Sequence, residues 1–303
     1  MLKRISRSLY YRSQAVLARN ALKLFAFFSI KSVRNFATFV GNIAWFFNTK
    51  SKKITIKNIE LCFPELSDPE RKKLAKKSLI ESLKTAAEMG AMYFWESEKI
   101  LKLVERVENL EILDRAIKSG KGIILLAPHQ GNFEMMRHFA ASKTRFITLY
   151  QPLKTPELDA LSVELRSKNG VEALPTTARG IAAVFRELQK GAVTAILPDS
   201  SPARDSGAVF APFFGIETFT ATLLSKAARK TGAIVIACAA FRSPEGFIPR
   251  FFAVDETLYL DDSRAAAAAV NVVIEECVRL DPAQYFWEYR RFKVRPKGEK
   301  SFY

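Results

Sequence analysis

The chain has 303 residues, 49% of them hydrophobic and 26% charged, which is enough for one large α/β domain or two small ones and excludes disordered, collagen-like and disulfide-scaffold proteins. Its 47 Lys and Arg against 31 Asp and Glu leave a net charge of +16, a field that favours nucleic acid, acidic lipid headgroups or an acidic carrier protein. The three cysteines, Cys62, Cys238 and Cys277, are scattered with no CxxC pair, so a reducing compartment is implied and no disulfide framework or zinc cluster follows.

The basic charge is concentrated at the start, where twelve Lys and Arg precede the first acidic residue, Glu60. The apolar runs there, 24–28 and 43–47, fall far short of the roughly 20 residues that span a bilayer. At helical spacing Lys31, Arg34, Asn35, Thr38 and Asn42 share one face, and Phe25, Phe28, Phe36, Phe39, Ile43 and Phe46 another. A basic amphipathic helix with that apolar face suits a membrane interface; the competing reading is a core-packing helix whose cations face water. A nucleic-acid partner is not expected, because a coherent apolar face is wasted on it and no binding motif is present. Nor is a cleavable signal peptide, for want of an apolar core followed by a small-residue site.

Residues 66–95 read as a helix with Asp68 at its N-cap and Pro69 in its first turn, and 109–122 as a helix closed by Gly120. The run 122–129, GIILLAPH, has the continuous apolar character of a buried parallel strand. Strand-like segments follow at 145–150, 171–174, 192–199 and 233–242, with helix-like segments at 131–142, 155–170, 177–191 and 218–232. Residues 200–216 read as a loop, and 247–254 as a hairpin partner for 233–242. This alternation predicts an α/β fold with a mostly parallel central sheet flanked by helices. The expected organisation is an amphipathic, membrane-associating helical segment over 1–60 and one α/β domain over 61–303.

In open α/β sheets ligands bind beyond the carboxyl ends of the strands, which singles out His129, Tyr150 and Asp199. His129 opens the segment HQGNFE, and a tight turn through Gly131 can bring the Glu134 carboxylate to the imidazole, as beside a catalytic histidine. The helix start at Gly131 and Asn132 offers backbone N–H groups for a developing oxyanion. The alternative is that His129 merely caps the sheet and Glu134 complements the helix dipole. His138, the other histidine, lies four residues after Glu134, but without a third clear ligand the pair makes a poor zinc site and no metal is expected. No GxSxG, GxxxxGK[ST] or GxGxxG pattern occurs, against an α/β-hydrolase, a P-loop NTPase or a Rossmann dehydrogenase.

HQGNFE (129–134) resembles the H-x4-D/E signature of the glycerolipid-type acyltransferases. The ordered set HQGNFE, YQPLKTPELDAL (150–161) with Arg166 and Gly170, ILPDS (196–200), APFFGIETFTAT (211–222) and FWEYRRFKVRP (286–296) resembles the late acyltransferases of lipid A biosynthesis. The resemblance spans about residues 105–296, with Ser200 standing where the family more often has Gln. It implies the α/β acyltransferase fold and no cofactor beyond an acyl thioester co-substrate, on acyl carrier protein or CoA. It also implies an acceptor hydroxyl on an anionic lipid A precursor or related glycolipid, and a peripheral or monotopic place at the cytoplasmic face of the inner membrane. His129 would then deprotonate the acceptor hydroxyl and Glu134 orient His129. Arg166 would clamp a phosphate, where without the resemblance it reads as a solvated helix face; Asp199 would order Arg166 or its surroundings, the alternative being a turn or N-cap residue after a strand; and Tyr150, Gly131 and Asn132 would contribute to substrate binding. Phe213, Phe214 and Gly215 would suit an acyl-chain channel, the two Phe being read equally as core, and the Arg-rich tail would touch phosphates or, structurally, form a strand or helix end with cation–π contacts. Two rival readings remain at this point: an acyl-CoA lysophospholipid acyltransferase of the same fold, and a catalytically silent membrane-binding protein.

Overall fold

Four helices built on Leu, Ala, Lys and Phe come first: α1 (Leu2–Phe27), α2 (Ile30–Ala44), α3 (Lys50–Cys62) and α4 (Asp68–Phe94). The computed structural model describes residues 2–153, 155–168, 170–202 and 207–303, with side chains from residue 11 onward. Ser29 and Thr49 cap α2 and α3 by accepting the backbone N–H groups of Ser32 and Lys52. At α4 the cap is Ser67, in a capping box with Glu70, so Asp68 lies one position inside the helix instead of capping it. The other three helices pack on α4.

The domain continues through α5 (Ser97–Leu101), α6 (Leu110–Lys118), β1 (Ile123–Leu126), α7 (Phe133–Ala141), β2 (Phe146–Tyr150), α8 (Pro156–Arg166) and β3 (Glu172–Pro175). Next come α9 (Ala178–Gln189), β4 (Val193–Ile196), β5 (Ala208–Phe213), β6 (Ile216–Ala221), α10 (Leu223–Thr231), β7 (Ile234–Arg242), β8 (Phe247–Phe252) and α11 (Ser263–Leu280). Six strands form the central sheet in the order β3-β2-β4-β1-β7-β8; only β8, the expected hairpin partner of β7, runs antiparallel. Successive residues of β1 point to opposite faces. Ile124 and Leu126 join the core under α9, α10 and α11, while Ile123 and Leu125 join that under α6 and α7.

Two further expectations are corrected by the fold. Residues 208–221, read as the end of a loop and the start of a helix, form the separate β5–β6 hairpin, and α10 begins only at Leu223. Val209, Phe210, Thr218, Phe219 and Thr220 are strand formers, and the two-residue turn Phe214–Gly215, with φ of 48° and 74°, has the positive-φ backbone whose twist matches that of the flanking strands.

The second correction concerns α2. Its inward stripe is Ile30, Val33, Arg34, Ala37 and Gly41, so Arg34, expected on a water-facing side, is buried. Small side chains allow close approach to α4, and the Arg34 donors are taken by Glu88 and by the carbonyl oxygens of Ser243 and Gly246. The aromatic stripe faces outward instead: Phe36 is 54% exposed, Phe39 64%, Phe46 84% and Phe27, at the end of α1, 85%. Among the described residues no helix is long and apolar enough to cross a membrane.

Candidate active site

β1 and β4 are parallel neighbours in the register Ile123↔Val193 through Leu126↔Ile196, a constant offset of 70 residues. Each strand is followed by a Pro-containing turn of equal length, APH and LPD. The same offset therefore carries His129 to Asp199, and the two side chains meet at the carboxyl edge of the sheet.

The contact has two hydrogen bonds. Asp199 Oδ1 lies 2.8 Å from His129 Nδ1, and Oδ2 accepts the His129 backbone N–H at 2.8 Å. The His129 carbonyl accepts from Phe286 N–H, and the ring packs edge-on against Phe133 with centroids 5.0 Å apart. Backbone, ring and Nδ1 are all held, so the Nε2 lone pair is the one left to take a proton. Asp199 is 3% exposed and His129 26%, so the imidazole reaches the surface and its carboxylate does not.

Burial disfavours charge on both groups, but each outweighs that effect for the other. The Asp199 carboxylate and its hydrogen bond, with a lesser push from Glu134, hold His129 above the ordinary imidazole value. The imidazole and its hydrogen bonds, helped by Arg291, hold Asp199 below the usual carboxylate range. A cavity of about 30 Å³ opens beside the pair, lined by His129, Asp199, Tyr285, Trp287 and Arg291 among others. It has room for a water molecule, and Phe286, 44% exposed, stands among its lining residues.

The expected pair between His129 and Glu134 does not form. Glu134 starts α7 and faces α4 and α8: it accepts from Arg137 Nε at 2.9 Å and Tyr93 Oη at 2.8 Å, and lies 3.8 Å from Arg166 Nε. Burial raises its carboxyl pKa, but Arg137, Arg166 and the Tyr93 hydroxyl outweigh this and keep it ionised. Glu134 acts as a buried brace. Glu134→Gln should therefore cost stability, about 3 kcal/mol or more, because buried guanidinium is left without its charge partner. Denaturant unfolding checks this, and a loss within about 0.5 kcal/mol, typical of a surface change, contradicts it.

A sequence profile described as bacterial lipid A biosynthesis acyltransferase matches residues 3–294 of this chain. The chain belongs to that family. It is 30% identical over 267 residues to a lipid A biosynthesis lauroyltransferase of Escherichia coli strain K12, covering 87% of this chain and 86% of the relative. It is equally 30% identical over 272 residues to the lipid A biosynthesis palmitoleoyltransferase of that strain, covering 88% and 86%. A lipid A biosynthesis acyltransferase of Haemophilus influenzae is 28% identical over 247 residues, covering 80% and 78%.

The other expected site residues of this acyltransferase are spread between the sheet edge and the core. The backbone N–H groups of Gly131 and Asn132, expected to be free for an oxyanion, donate to the carbonyl oxygens of Gln284 and Ala240 at 2.9 Å each. That close approach explains Gly131, at φ 60°: a Cβ there would meet the Ala240 oxygen at 2.0 Å. Asn132 is wholly buried, with its side chain committed to Glu88 and to Met135 N–H, and cannot touch a substrate. Arg166, at the end of α8, stands beside Glu134 and not beside Asp199, and bonds Ser162. Tyr150 ends β2, which pairs with β4, so it shares the sheet edge with Asp199.

Phe213 is fully buried, and Phe214 packs on Phe63 and Trp287, so the 213–215 turn is core and hairpin closure and does not line the cavity at His129. His138 donates from Nε2 to the Met92 carbonyl at 2.8 Å and accepts at Nδ1 from Ser97 Oγ at 3.1 Å. Burial and Arg137 push its pKa down to about 4, so it is a neutral core group. Arg291, expected to touch phosphates, is buried and donates to Phe219 O, Thr220 Oγ1 and Asn271 Oδ1. Its charge acts on Asp199 from inside the fold.

Proposed function

We propose that this acyltransferase moves a fatty acyl group from an acyl carrier protein thioester to a hydroxyl of an anionic lipid A precursor or related glycolipid, with His129 as general base and Asp199 as its partner. The observation that carries the reading is the imidazole held at Nδ1 by a buried carboxylate, with its other nitrogen left for a proton. An alcohol is a poor nucleophile at neutral pH. His129 Nε2 takes the hydroxyl proton as the oxygen attacks the thioester carbonyl, and Asp199 stabilises the imidazolium that results. The tetrahedral intermediate collapses to the ester, and the departing thiolate recovers that proton, so the step balances without metal or redox cofactor. The net charge of +16 suits both an acidic carrier and an anionic acceptor.

The outward aromatic stripe of α2, with Lys31, Lys50 and Lys53 exposed nearby, supports residues 1–60 as the segment that lies in the membrane interface, ahead of the α/β domain at 61–303. On this reading the reaction takes place at the cytoplasmic face of a bacterial inner membrane. The test is acyl transfer by the purified protein to a lipid A precursor in anionic vesicles, read by mass spectrometry as the gain of one acyl group, with acyl carrier protein and CoA donors in separate arms. His129→Ala should lower turnover by roughly 10²- to 10⁴-fold with vesicle co-sedimentation unchanged. Turnover by His129→Ala at the wild-type rate removes the general-base assignment, and transfer from CoA alone removes the carrier protein.

A further inference from the structure

The turn that carries His129 is tied to α2 through a single buried carboxylate. Asn132 accepts Met135 N–H at 3.2 Å, capping α7, and its Nδ2 donates to Glu88 Oε2 at 2.9 Å. Glu88, on α4, has no solvent exposure. Its Oε1 accepts from Arg34 Nε of α2 at 2.6 Å and from Arg242 Nε of β7 at 2.7 Å, and its Oε2 also accepts from Arg242 Nη2 at 2.7 Å. Arg242 reaches on to Glu81 and Thr85, and the Thr85 hydroxyl lies 3.2 Å from the Gly131 carbonyl. One carboxylate thus joins the helix with the exposed aromatic face, the end of a central strand and the head of α7, three residues from His129.

Apolar side chains would fill this space without the desolvation cost of several buried charges. What the charges add is direction, because each hydrogen bond fixes an angle as well as a distance. We propose that Glu88 is a positioning residue for acyl transfer: through Asn132 it sets the His129 turn against Arg34 of α2, so that the base is aligned with the face on which the lipid acceptor arrives. This rests on the general-base reading of His129 and goes beyond it.

Glu88→Gln is a poor probe, because it leaves two buried guanidinium groups short of charge and confounds activity with folding. Asn132→Ser is the better one, since Ser caps a helix about as well as Asn but is too short to reach Glu88. The expected result is a kcat lower by roughly 10- to 100-fold, with KM for acceptor and donor and vesicle co-sedimentation unchanged and Tm lowered by only a few degrees, the cost of one buried hydrogen bond to a charged group. Arg34→Lys keeps the charge and loses the fork, and should give a smaller kcat loss with normal vesicle binding. Combined with Asn132→Ser it should add little, as expected for two changes on one connection. Wild-type kcat in Asn132→Ser, or a loss that appears in KM instead, overturns the proposal. His129→Ala in the same assay reports on the general-base reading alone: an active His129→Ala defeats that reading, whereas an inactive one beside a fully active Asn132→Ser defeats only the role of Glu88.

Discussion

Asp199→Asn is expected to lower kcat by roughly 10²- to 10⁴-fold and to move the acid limb of the kcat/KM profile to lower pH. His129 must be neutral to accept a proton, so activity rises with pH through its pKa, which in the wild type lies above the ordinary value of 6.5. Burial acts to lower that pKa, and the Asp199 carboxylate is what overrides burial. With an amide in its place the burial contribution remains, and the midpoint should fall below that of the wild type. The variant then has more neutral imidazole at a given pH and is slower nonetheless, because the imidazolium formed during transfer has lost its stabilising charge. A pH–rate series for both proteins measures limb and plateau together; an unmoved limb with an undiminished plateau removes Asp199 from the mechanism.

The same pair fixes the sign of the stability changes. The raised imidazole contributes stability that is present at low pH and is lost as pH rises through its folded pKa. The lowered Asp199 carboxyl contributes stability that is present above its ordinary 3.8 and is lost as pH falls through its folded pKa.

Most strands are legible in the sequence, and what is not depends on tertiary neighbours or on residues that serve loops and hairpins alike. Strand runs such as GIILLAPH and AVTAILPD are recognisable because a strand buried on both faces is continuously apolar. Both His129 and Asp199 stood out as polar residues ending such runs. Their pairing follows from strand adjacency and register, and nothing local to either segment states that β1 and β4 are neighbours; once they are, the two proline turns of equal length make the contact unavoidable. Glu134 is misleading for the opposite reason. It is close to His129 in sequence, yet the first turn of α7 points it toward Tyr93 and Arg166, which come from distant elements. Spacing within one helix start cannot reveal those competitors. The hairpin at 208–221 was obscured by Pro and Gly, which punctuate loops and hairpins alike.

The amphipathic pattern of α2 was legible, but which face is inside was not, and this sets the second large effect. Replacing Phe39 and Phe46 with Ser should weaken vesicle binding about a hundredfold, taking about 1.5 kcal/mol for each partly immersed ring and 1.4 kcal/mol for each factor of ten. Both rings are more than 60% exposed, so removing them takes little from the core, and Tm should hold while co-sedimentation falls. Had the reading been a core-packing helix, the same substitutions would lower Tm and spare binding. Neutralising Lys31, Lys50 and Lys53 should also release the protein from anionic vesicles. That contribution fades as salt shortens the screening length to about 8 Å near physiological ionic strength, whereas the aromatic one does not. Arg34 belongs in neither set, because its charge is spent on Glu88 inside the fold. A salt titration of the Phe39→Ser/Phe46→Ser variant therefore separates the two forces: its salt-resistant binding should be about a hundredfold weaker than that of the wild type, with Phe27 and Phe36 still exposed, while the salt-sensitive part is kept. Salt-resistant binding undiminished by loss of both rings would remove the α2 face from the membrane contact.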